Sequence, residues 1–84
     1  MSKRFTCLVC GFPELEEPPY DDTGTATFVI CRCCGVEFGY EDAGQSHSAL
    51  REKWIKAGMK WWSQDAPPPD WDAKAQLRKA GFSN

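Results

Sequence analysis

Two cysteine pairs constrain the fold of this chain more than any other feature of its sequence. The pattern Cys-x-x-Cys-Gly occurs at residues 7–11 and again at residues 31–35, with 20 residues between the two pairs. Two thiolates at this short spacing can chelate one ion, and two such turns, here called knuckles, complete a tetrahedron around it. The sequence therefore predicts one metal site. Its predicted ligands are Cys7, Cys10, Cys31 and Cys34.

A closed set of four soft sulfur ligands suits Zn(II), and iron in a rubredoxin-type site is the alternative. In small peptides, structural zinc sites bind their ion with a free energy of about 10–16 kcal/mol, which is comparable with the free energy of unfolding of a small domain. A chain of 84 residues can bury only a limited core. We therefore expect the metal to stabilise the fold and the metal-free chain to be largely unfolded.

A fifth cysteine lies beside the second knuckle. Cys33 and Cys34 could both reach the ion, but only Cys34 repeats the spacing of the first knuckle and is followed by glycine. Cys34 is therefore the predicted ligand. Cys33 is either a turn residue without chemistry, which is the simpler interpretation, or a reactive, redox-sensing thiol activated by the neighbouring ion or by Arg32.

The grouping of the cysteines and the lack of an apolar signal segment predict a cytoplasmic protein with reduced thiols. The longest apolar run, residues 28–31, is far too short to cross a membrane. The sequence contains no nucleophile elbow and no glycine-rich phosphate loop. Its single histidine, His47, is expected to be a surface or capping residue. We therefore predict that the protein is not an enzyme and has no membrane partner.

The segments around the knuckles are predicted to form short antiparallel strands. Residues 3–7 are a β-prone lead-in, residues 26–30 are rich in β-branched and aromatic side chains, and residues 36–40 continue after the second knuckle. Residues 15–25 contain the prolines, aspartates and glycine that are typical of turns. Strands around two knuckles are typical of a zinc-ribbon or rubredoxin-like module, which we predict for residues 1–45.

Residues 48–62 show the period of an amphipathic helix, which Ser46 or Ser48 can cap. The apolar arc of this helix is roughly 200° wide, whereas one core contact needs only about 100°. Either two surfaces of the chain therefore cover this helix, or part of it faces another protein. Trp61 and Trp62 are its predicted interaction residues, because tryptophans often anchor interfaces.

A second helix is predicted over residues 71–80, with Asp70 as its N-cap and Gly81 as its end. Such a short helix is not stable alone and must dock on the rest of the chain. The predicted fold is thus a small α+β metal-bound domain. In it, residues 46–84 form a two-helix segment packed on the metal module as one structural unit.

Charge is distributed unevenly along the chain. Residues 11–45 contain eight acids and one base, whereas residues 46–84 contain seven bases and four acids. The total of −2 argues against nucleic acid as a partner. If nucleic acid did bind, its candidate contacts are Lys53, Lys56 and Lys60. The acidic loop at residues 14–22 is expected to suit a basic protein partner such as a nuclease domain. Its predicted interaction residues are Glu16, Glu17, Asp21 and Asp22.

Four stretches of the sequence form a recognisable combination. They are Phe-Thr-Cys-Leu-Val-Cys-Gly-Phe from residue 5, Val-Ile-Cys-Arg-Cys-Cys-Gly-Val-Glu-Phe from residue 29, Glu-Asp at 41–42 and Ser-x-Ser-Ala-Leu-Arg from residue 46. Over residues 5–58 the chain resembles the small bacterial cysteine-rich CPCC proteins, although Leu8 and Val9 stand where that family has proline and cysteine. The resemblance implies a zinc-ribbon-type module and, through some members, a link to toxin and immunity loci. The knuckle cysteines that it implies are Cys7, Cys10, Cys31 and Cys34.

Both knuckles also resemble those of rubredoxins, which begin with a similar aromatic-x-Cys-x-x-Cys-Gly-aromatic run. Rubredoxins have a longer insert between their knuckles and no tryptophan-rich helical tail. Iron electron transfer is therefore the alternative function, and a nucleic-acid-binding zinc ribbon is the third. The leading hypothesis is a small cytoplasmic zinc protein with a structural four-cysteine site, acting as a protein–protein interaction module of the immunity or adaptor type.

Overall fold

The computed structural model of the chain describes residues 4–82. It contains two α-helices, α1 (His47–Lys56) and α2 (Ala73–Lys79), and a short 3-10 helix (Glu41–Ala43) precedes α1. The N-terminal half folds as a series of tight turns on which both helices pack. Residue 3 of the predicted lead-in lies outside the described residues. No helix in the described range has the length and apolar character needed to traverse a lipid bilayer.

The predicted strands do not form between residues 4 and 82, where the backbone pairs only in isolated antiparallel bridges. Residues 26–30 are interrupted at Phe28, whose φ of 61° lies in the left-handed region. Residues 36–40 are interrupted at Gly39, whose φ is 99°. A strand needs consecutive extended residues, so one left-handed residue in each segment limits the pairing between the two segments to the bridge between Ile30 and Glu37, and Ala26 forms a separate bridge with Tyr20. A small domain with two helices is confirmed, and the zinc-ribbon strands are not.

The two knuckles form the same backbone hydrogen bonds. In the first, the N–H of Cys7 donates to the carbonyl of Phe12 at 2.8 Å, and the N–H of Gly11 donates to the carbonyl of Cys7 at 3.1 Å. In the second, the N–H groups of Cys31 and Gly35 form the equivalent bonds, 3.0 and 2.7 Å long. Both glycines are left-handed, with φ of 83° and 80°, which glycine adopts without steric cost. The repeated sequence motif thus produces a repeated local structure.

Helix α1 is capped by Ser46, whose Oγ accepts a backbone hydrogen bond of 3.1 Å. The helix ends well before the predicted residue 62. Gly58 has a φ of 104°, and the N–H of Met59 turns back to donate to the carbonyl of Trp54 at 2.9 Å. This Schellman motif satisfies a terminal carbonyl and reverses the chain. The wide apolar arc predicted for this helix is therefore not formed.

Helix α2 is capped by Asp72 and not by the predicted Asp70. The Oδ1 atom of Asp72 accepts a hydrogen bond of 3.0 Å from the N–H of Lys74. Asp70 has a φ of 62°, which keeps it outside the helix. At the other end, Gly81 has a φ of 84° and is followed by the returning residue Phe82. The helix thus starts later than predicted and ends at Lys79, with Ala80 as its C-cap before the predicted glycine.

One core joins the knuckles to both helices. Leu50 and Trp54 of α1 and Leu77 of α2 pack into the same cluster as the knuckle residues. The buried hydrophobic residues are Cys7, Val9, Cys10, Phe12, Leu15, Cys31, Cys33, Val36, Phe38, Leu50, Trp54 and Leu77. The centre of this small core is therefore occupied largely by cysteines, and its packing depends on what holds them together.

Candidate metal centre

The four predicted ligand cysteines converge on one point. Their sulfur atoms all lie within 4.8 Å of one another. The Sγ atoms of Cys7 and Cys34 are 3.8 Å apart, and those of Cys10 and Cys31 are 3.6 Å apart. A tetrahedral ion with metal–sulfur bonds of about 2.3 Å requires sulfur–sulfur separations of about 3.8 Å. The four sulfurs could therefore hold one metal ion in tetrahedral coordination.

The sulfur environment requires a cation if all four thiols are to ionise. Cys7, Cys10 and Cys31 are fully buried, and Cys34 is partly exposed. Hydrogen bonds lower the pKa of the Cys7 thiol, the largest effect being that of Cys10, followed by those of Cys31 and Cys34. The pKa of the Cys10 thiol is raised, and its hydrogen bond with Cys31 is the largest cause. The N–H groups of Val9 and Cys10 also point at the Cys7 sulfur, at 3.4 and 3.5 Å. Burial disfavours each ionised sulfur, and only a bound cation would offset the repulsion among four thiolates.

Cys33 is fully buried but lies outside the group of four. The amide Nε2 of Gln76 is 3.4 Å from the Cys33 sulfur and donates to the carbonyl of Cys10 at 3.0 Å. Gln76 is only 7% exposed, and its Oε1 accepts a hydrogen bond of 2.9 Å from the indole of Trp71. One side chain of α2 thus bridges both knuckles. The hydrogen bond with Cys10 is the largest effect on the pKa of the Cys33 thiol, and with that from Gln76 it lowers this pKa although burial raises it. The inaccessibility of the Cys33 sulfur, and not its pKa, favours the structural interpretation over a reactive thiol.

Arg51 of α1 binds the outward carbonyls of the first knuckle. Its Nε donates to the carbonyl of Val9 at 2.7 Å, and its Nη2 donates to the carbonyl of Leu8 at 2.9 Å. The guanidinium also stacks on the ring of Phe82, 3.6 Å from the ring centroid. Neither Arg51 nor Gln76 was identified from the sequence, because a polar residue on a helix carries no local signal of the distant carbonyl that it will reach.

The second knuckle is covered by the segment that follows α1. The N–H groups of Trp62 and Ser63 donate to the carbonyls of Cys33 and Arg32, both at 2.9 Å. The indole of Trp62 lies against Gly35, so closely that a Cβ on this glycine would be 2.5 Å from the indole Cγ. Gly35 is therefore needed for this close approach as well as for its backbone conformation.

The two predicted interaction tryptophans have different environments. Trp61 is partly buried between the rings of Phe12 and Trp71, each in an edge-to-face contact with centroids 5.4 Å apart. Its indole N–H donates to the carbonyl of Asp65 at 2.6 Å. Trp62, in contrast, is 59% exposed. Trp61 therefore contributes to packing within the chain, and Trp62 is the one that presents its ring to solvent.

The predicted interaction carboxylates are exposed, but two of them have partners within the chain. The four residues are Glu16, Glu17, Asp21 and Asp22. Glu16 lies 3.8 Å from the Nη2 of Arg32. The Oδ1 of Asp21 accepts hydrogen bonds from the hydroxyl of Thr23 at 2.6 Å and the N–H of Thr25 at 3.0 Å, which together lower the pKa of Asp21. Asp21 therefore has a clear structural use in closing a turn.

His47 has partners that the sequence analysis did not identify. Its Nε2 is 2.9 Å from the Oδ2 of Asp42, and the same oxygen accepts a hydrogen bond from the hydroxyl of Tyr20. The Asp42 side chain is 4% exposed, and its Oδ1 accepts a bond of 2.7 Å from the N–H of Gly39. Burial alone would raise the pKa of Asp42, but the hydrogen bonds from Tyr20, His47 and Gly39 lower it. This cluster ties the acidic loop to the start of α1.

Tyr20 is expected to ionise at an unusually high pH. Its hydrogen bond to the Asp42 carboxylate is the largest effect that raises the pKa of Tyr20 to about 12. The stability that this bond contributes is present below the ordinary tyrosine pKa of about 10 and is lost as the pH rises toward 12. In a Tyr40→Phe variant Tyr20 is the one remaining tyrosine, and its phenolate absorbance should appear near the higher value. Adding Asp42→Asn should lower the midpoint, and an unchanged midpoint would contradict the assignment.

Comparison with known proteins identifies two relatives. The chain is 36% identical over 77 residues to YozI of Bacillus subtilis strain 168, in a match that covers 71% of this chain and 64% of that protein. It is 31% identical over 75 residues to YoaQ of the same strain, in a match that covers 70% of this chain and 64% of that protein. Both relatives are described as uncharacterized proteins. The chain spans just under two thirds of their length. No protein-family model and no solved structure matches it, so the resemblance to CPCC proteins stays a prediction.

Proposed function

We propose that this chain binds one structural Zn(II) and that the folded unit acts as a protein–protein interaction module. The observation that carries the proposal is the geometry of the four sulfurs, whose separations of 3.6 and 3.8 Å across the knuckles suit tetrahedral coordination. All four ligands come from the chain, so a bound ion would keep no position for water or substrate. A closed site of this kind stabilises a fold. The proposed ligands are Cys7, Cys10, Cys31 and Cys34.

The surroundings of the sulfurs support a structural role for the metal. Each later part of the chain donates hydrogen bonds to knuckle carbonyls, through Arg51 of α1, Gln76 of α2 and the N–H of Trp62. A metal that joins the knuckles therefore also positions the elements that pack on them. Because a chain of this size buries only a small core, the metal would supply the stability that the core lacks.

Two surface features support an interaction role. Trp62 remains 59% exposed although its backbone is held by the second knuckle, and rigid aromatic side chains often anchor protein interfaces. The acidic loop at residues 14–22 suits a basic partner. A basic toxin or nuclease domain is the partner class that we propose for this loop, with the chain in an immunity or adaptor role.

Purification from cells supplied with both zinc and iron is expected to yield a colourless protein with one zinc per chain. Metal analysis and absorption spectroscopy provide the measurement, and cobalt substitution should give the intense absorption of a tetrahedral thiolate site. The variant Cys33→Ser is the matched control and should keep its metal, because Cys33 lies outside the group of four. A red protein with stoichiometric iron would overturn the zinc assignment in favour of rubredoxin-like electron transfer.

A further inference from the structure

We propose that Cys34 is a site of oxidation by hydrogen peroxide, which reaches it through a surface groove, and that a disulfide between Cys34 and Cys7 then forms and releases the metal. This assignment rests on the proposed zinc site and adds to it a reactive residue and a co-reactant. The sequence pointed to Cys33 as the alternative reactive thiol, whereas the structure points to its neighbour.

Cys34 is the most accessible of the five cysteines. The other four are completely buried, whereas Cys34 is partly exposed. Cys34 also lines a groove of about 500 Å³ between α1 and the returning segment, residues 59–62. A water molecule occupies about 30 Å³ in the liquid, so the groove admits a molecule as small as hydrogen peroxide. Because oxidation of cysteine follows thiolate character and exposure, Cys34 is expected to react before the others.

Hydrogen bonds fix both walls of this groove. The indole N–H of Trp54, on α1, donates to the carbonyl of Lys60 at 2.9 Å and holds the start of the returning segment. The backbone N–H of Trp62 donates to the carbonyl of Cys33, also at 2.9 Å, and holds its end against the second knuckle. The path to Cys34 is therefore preformed in the folded chain.

The charges along the groove suit an uncharged oxidant. Lys53, Lys60 and Glu41 line the groove together with Cys34. Four thiolates around one divalent ion would carry two excess negative charges, which the two lysines offset. Hydrogen peroxide therefore meets no electrostatic barrier on this path, and the lysines have a counter-charge within the chain and need none from a ligand.

Cys7 is placed to complete the reaction. Its Sγ lies 3.8 Å from that of Cys34, while Cys10 and Cys31 form the other close pair at 3.6 Å. Cys33 is unsuitable as the partner of Cys34, because the Cα atoms of adjacent residues are about 3.8 Å apart and those of a disulfide are usually about 4.4–6.8 Å apart.

The oxidation proceeds in two steps. The Cys34 thiolate attacks one oxygen of hydrogen peroxide, the O–O bond breaks, and Cys34 sulfenic acid and a hydroxide ion form. The Cys7 thiolate then attacks the sulfenic sulfur, an S–S bond forms, and the S–O bond breaks with loss of a second hydroxide ion. Two thiolates are oxidised by two electrons in total, and one peroxide is reduced to two hydroxide ions.

This reaction would remove two of the four ligands. The two remaining thiolates, those of Cys10 and Cys31, no longer form the closed set that a structural site requires, so the ion leaves. The second knuckle then loses its fixed position, and with it the carbonyl that holds the backbone of Trp62. Exposure to peroxide would thus disable the surface that we propose for protein interaction.

Peroxide treatment of the zinc-loaded full chain tests the assignment. Zinc content is measured first, and a coloured zinc indicator is chosen that removes no zinc from the untreated chain. Hydrogen peroxide should release the one bound zinc and consume two thiols per chain. Dithiothreitol followed by added zinc should restore both the zinc content and the dispersion of the amide NMR spectrum, because thiols reduce a disulfide by exchange.

Mass spectrometry identifies the cysteines that react. Trypsin separates residues 5–32, which contain three of the proposed ligands, from residues 33–51, which contain Cys34. The disulfide with Cys7 should join these two fragments, and fragmentation of the joined pair locates both sulfurs. Dimedone, which traps sulfenic acids, should label Cys34 first.

Three variants provide matched controls. Cys33→Ser should bind zinc and release it to peroxide at the parental rate. Ala57 lines the groove and is exposed, so Ala57→Phe should obstruct the path and slow release by about fivefold or more, because oxidation follows access to the sulfur. Ala66→Phe makes the same change at an exposed position outside the groove and should leave the rate unchanged.

Four results would overturn the assignment of Cys34. These are first labelling of another cysteine, a disulfide that does not join Cys34 to Cys7, loss of the peroxide response in Cys33→Ser, and equal rates for the two phenylalanine variants. A chain without zinc before peroxide is added would instead overturn the metal proposal itself. Stoichiometric zinc that peroxide does not release would leave the metal proposal standing and overturn only the oxidation site.

Discussion

Replacing Cys10 by Ser is expected to abolish stoichiometric zinc binding and to leave the chain largely unfolded. The Cys10 sulfur is fully buried and lies 3.6 Å from that of Cys31. A serine hydroxyl is a hard ligand that stays protonated near neutral pH, so it cannot replace a soft thiolate in this set. The metal would contribute about 10–16 kcal/mol, and a whole domain is stable by about 5–15 kcal/mol. The expected loss therefore approaches the entire stability of the fold.

Cys33→Ser is the matched control for this experiment. It makes the same chemical change at a cysteine that is equally buried, but whose sulfur contacts Gln76 and lies outside the four proposed ligands. Metal analysis and the dispersion of the amide NMR spectrum should show a folded zinc protein for this variant and an unfolded chain for Cys10→Ser. A strong chelator added to the parent should reproduce the unfolded spectrum. Equal behaviour of the two variants would show that the ligand assignment is wrong.

Gly11→Ala is expected to reduce the free energy of unfolding by about 2–5 kcal/mol, which combines left-handed backbone strain with overpacking. Gly11 has a φ of 83°, and an added Cβ would lie 2.7 Å from the Cβ of Ala80 and 3.2 Å from the carbonyl oxygen of Gln76. The Gln76 oxygen belongs to the backbone of α2 and the Ala80 Cβ is attached to the backbone of its C-cap, so neither atom can rotate away. The helix must therefore move off the first knuckle, which would break the hydrogen bond from Gln76 to Cys10.

Gly24→Ala separates the two contributions to this loss. Gly24 has the same φ of 83°, but nothing lies within 4 Å of the Cβ that would be added. This variant should therefore show only the backbone cost of about 1–2 kcal/mol. Denaturant unfolding of both zinc-loaded variants, at one fixed zinc concentration, measures the difference. If Gly11→Ala lost no more stability than Gly24→Ala, α2 would not pack on the first knuckle as described.

The convergence of the four sulfurs was predictable from the sequence, because each knuckle supplies two of them from residues that are close together in the chain. A Cys-x-x-Cys-Gly turn fixes two sulfurs through hydrogen bonds between close neighbours, such as that from Gly11 to Cys7. The same pattern distinguished Cys34 from Cys33, and the structure leaves Cys33 outside the group. The two helices were also predictable, since a cap such as Ser46 acts within a single turn.

The strands and the end of α1 were not predictable by the same reasoning. Phe28 occupies the left-handed region, where aromatic residues are uncommon, so the local β-prone composition was misleading. Gly58 stands inside an apolar periodicity that favours a longer helix. The chain nevertheless reverses there, because the returning segment gains the bond from Trp54 to Lys60 and the contact of Trp62 with Gly35. These contacts outweigh the local helical preference.

The sequence by itself determined the four converging cysteines and the presence of two helices, because these features depend on interactions between residues close together in the chain. Only the tertiary structure decided that Gln76 bridges the knuckles, that Arg51 binds the first knuckle, and that Trp61 is packed while Trp62 is exposed. Those contacts join residues far apart in sequence. Their pairing depends on how the whole chain packs around the cysteines, and no local period or spacing encodes it.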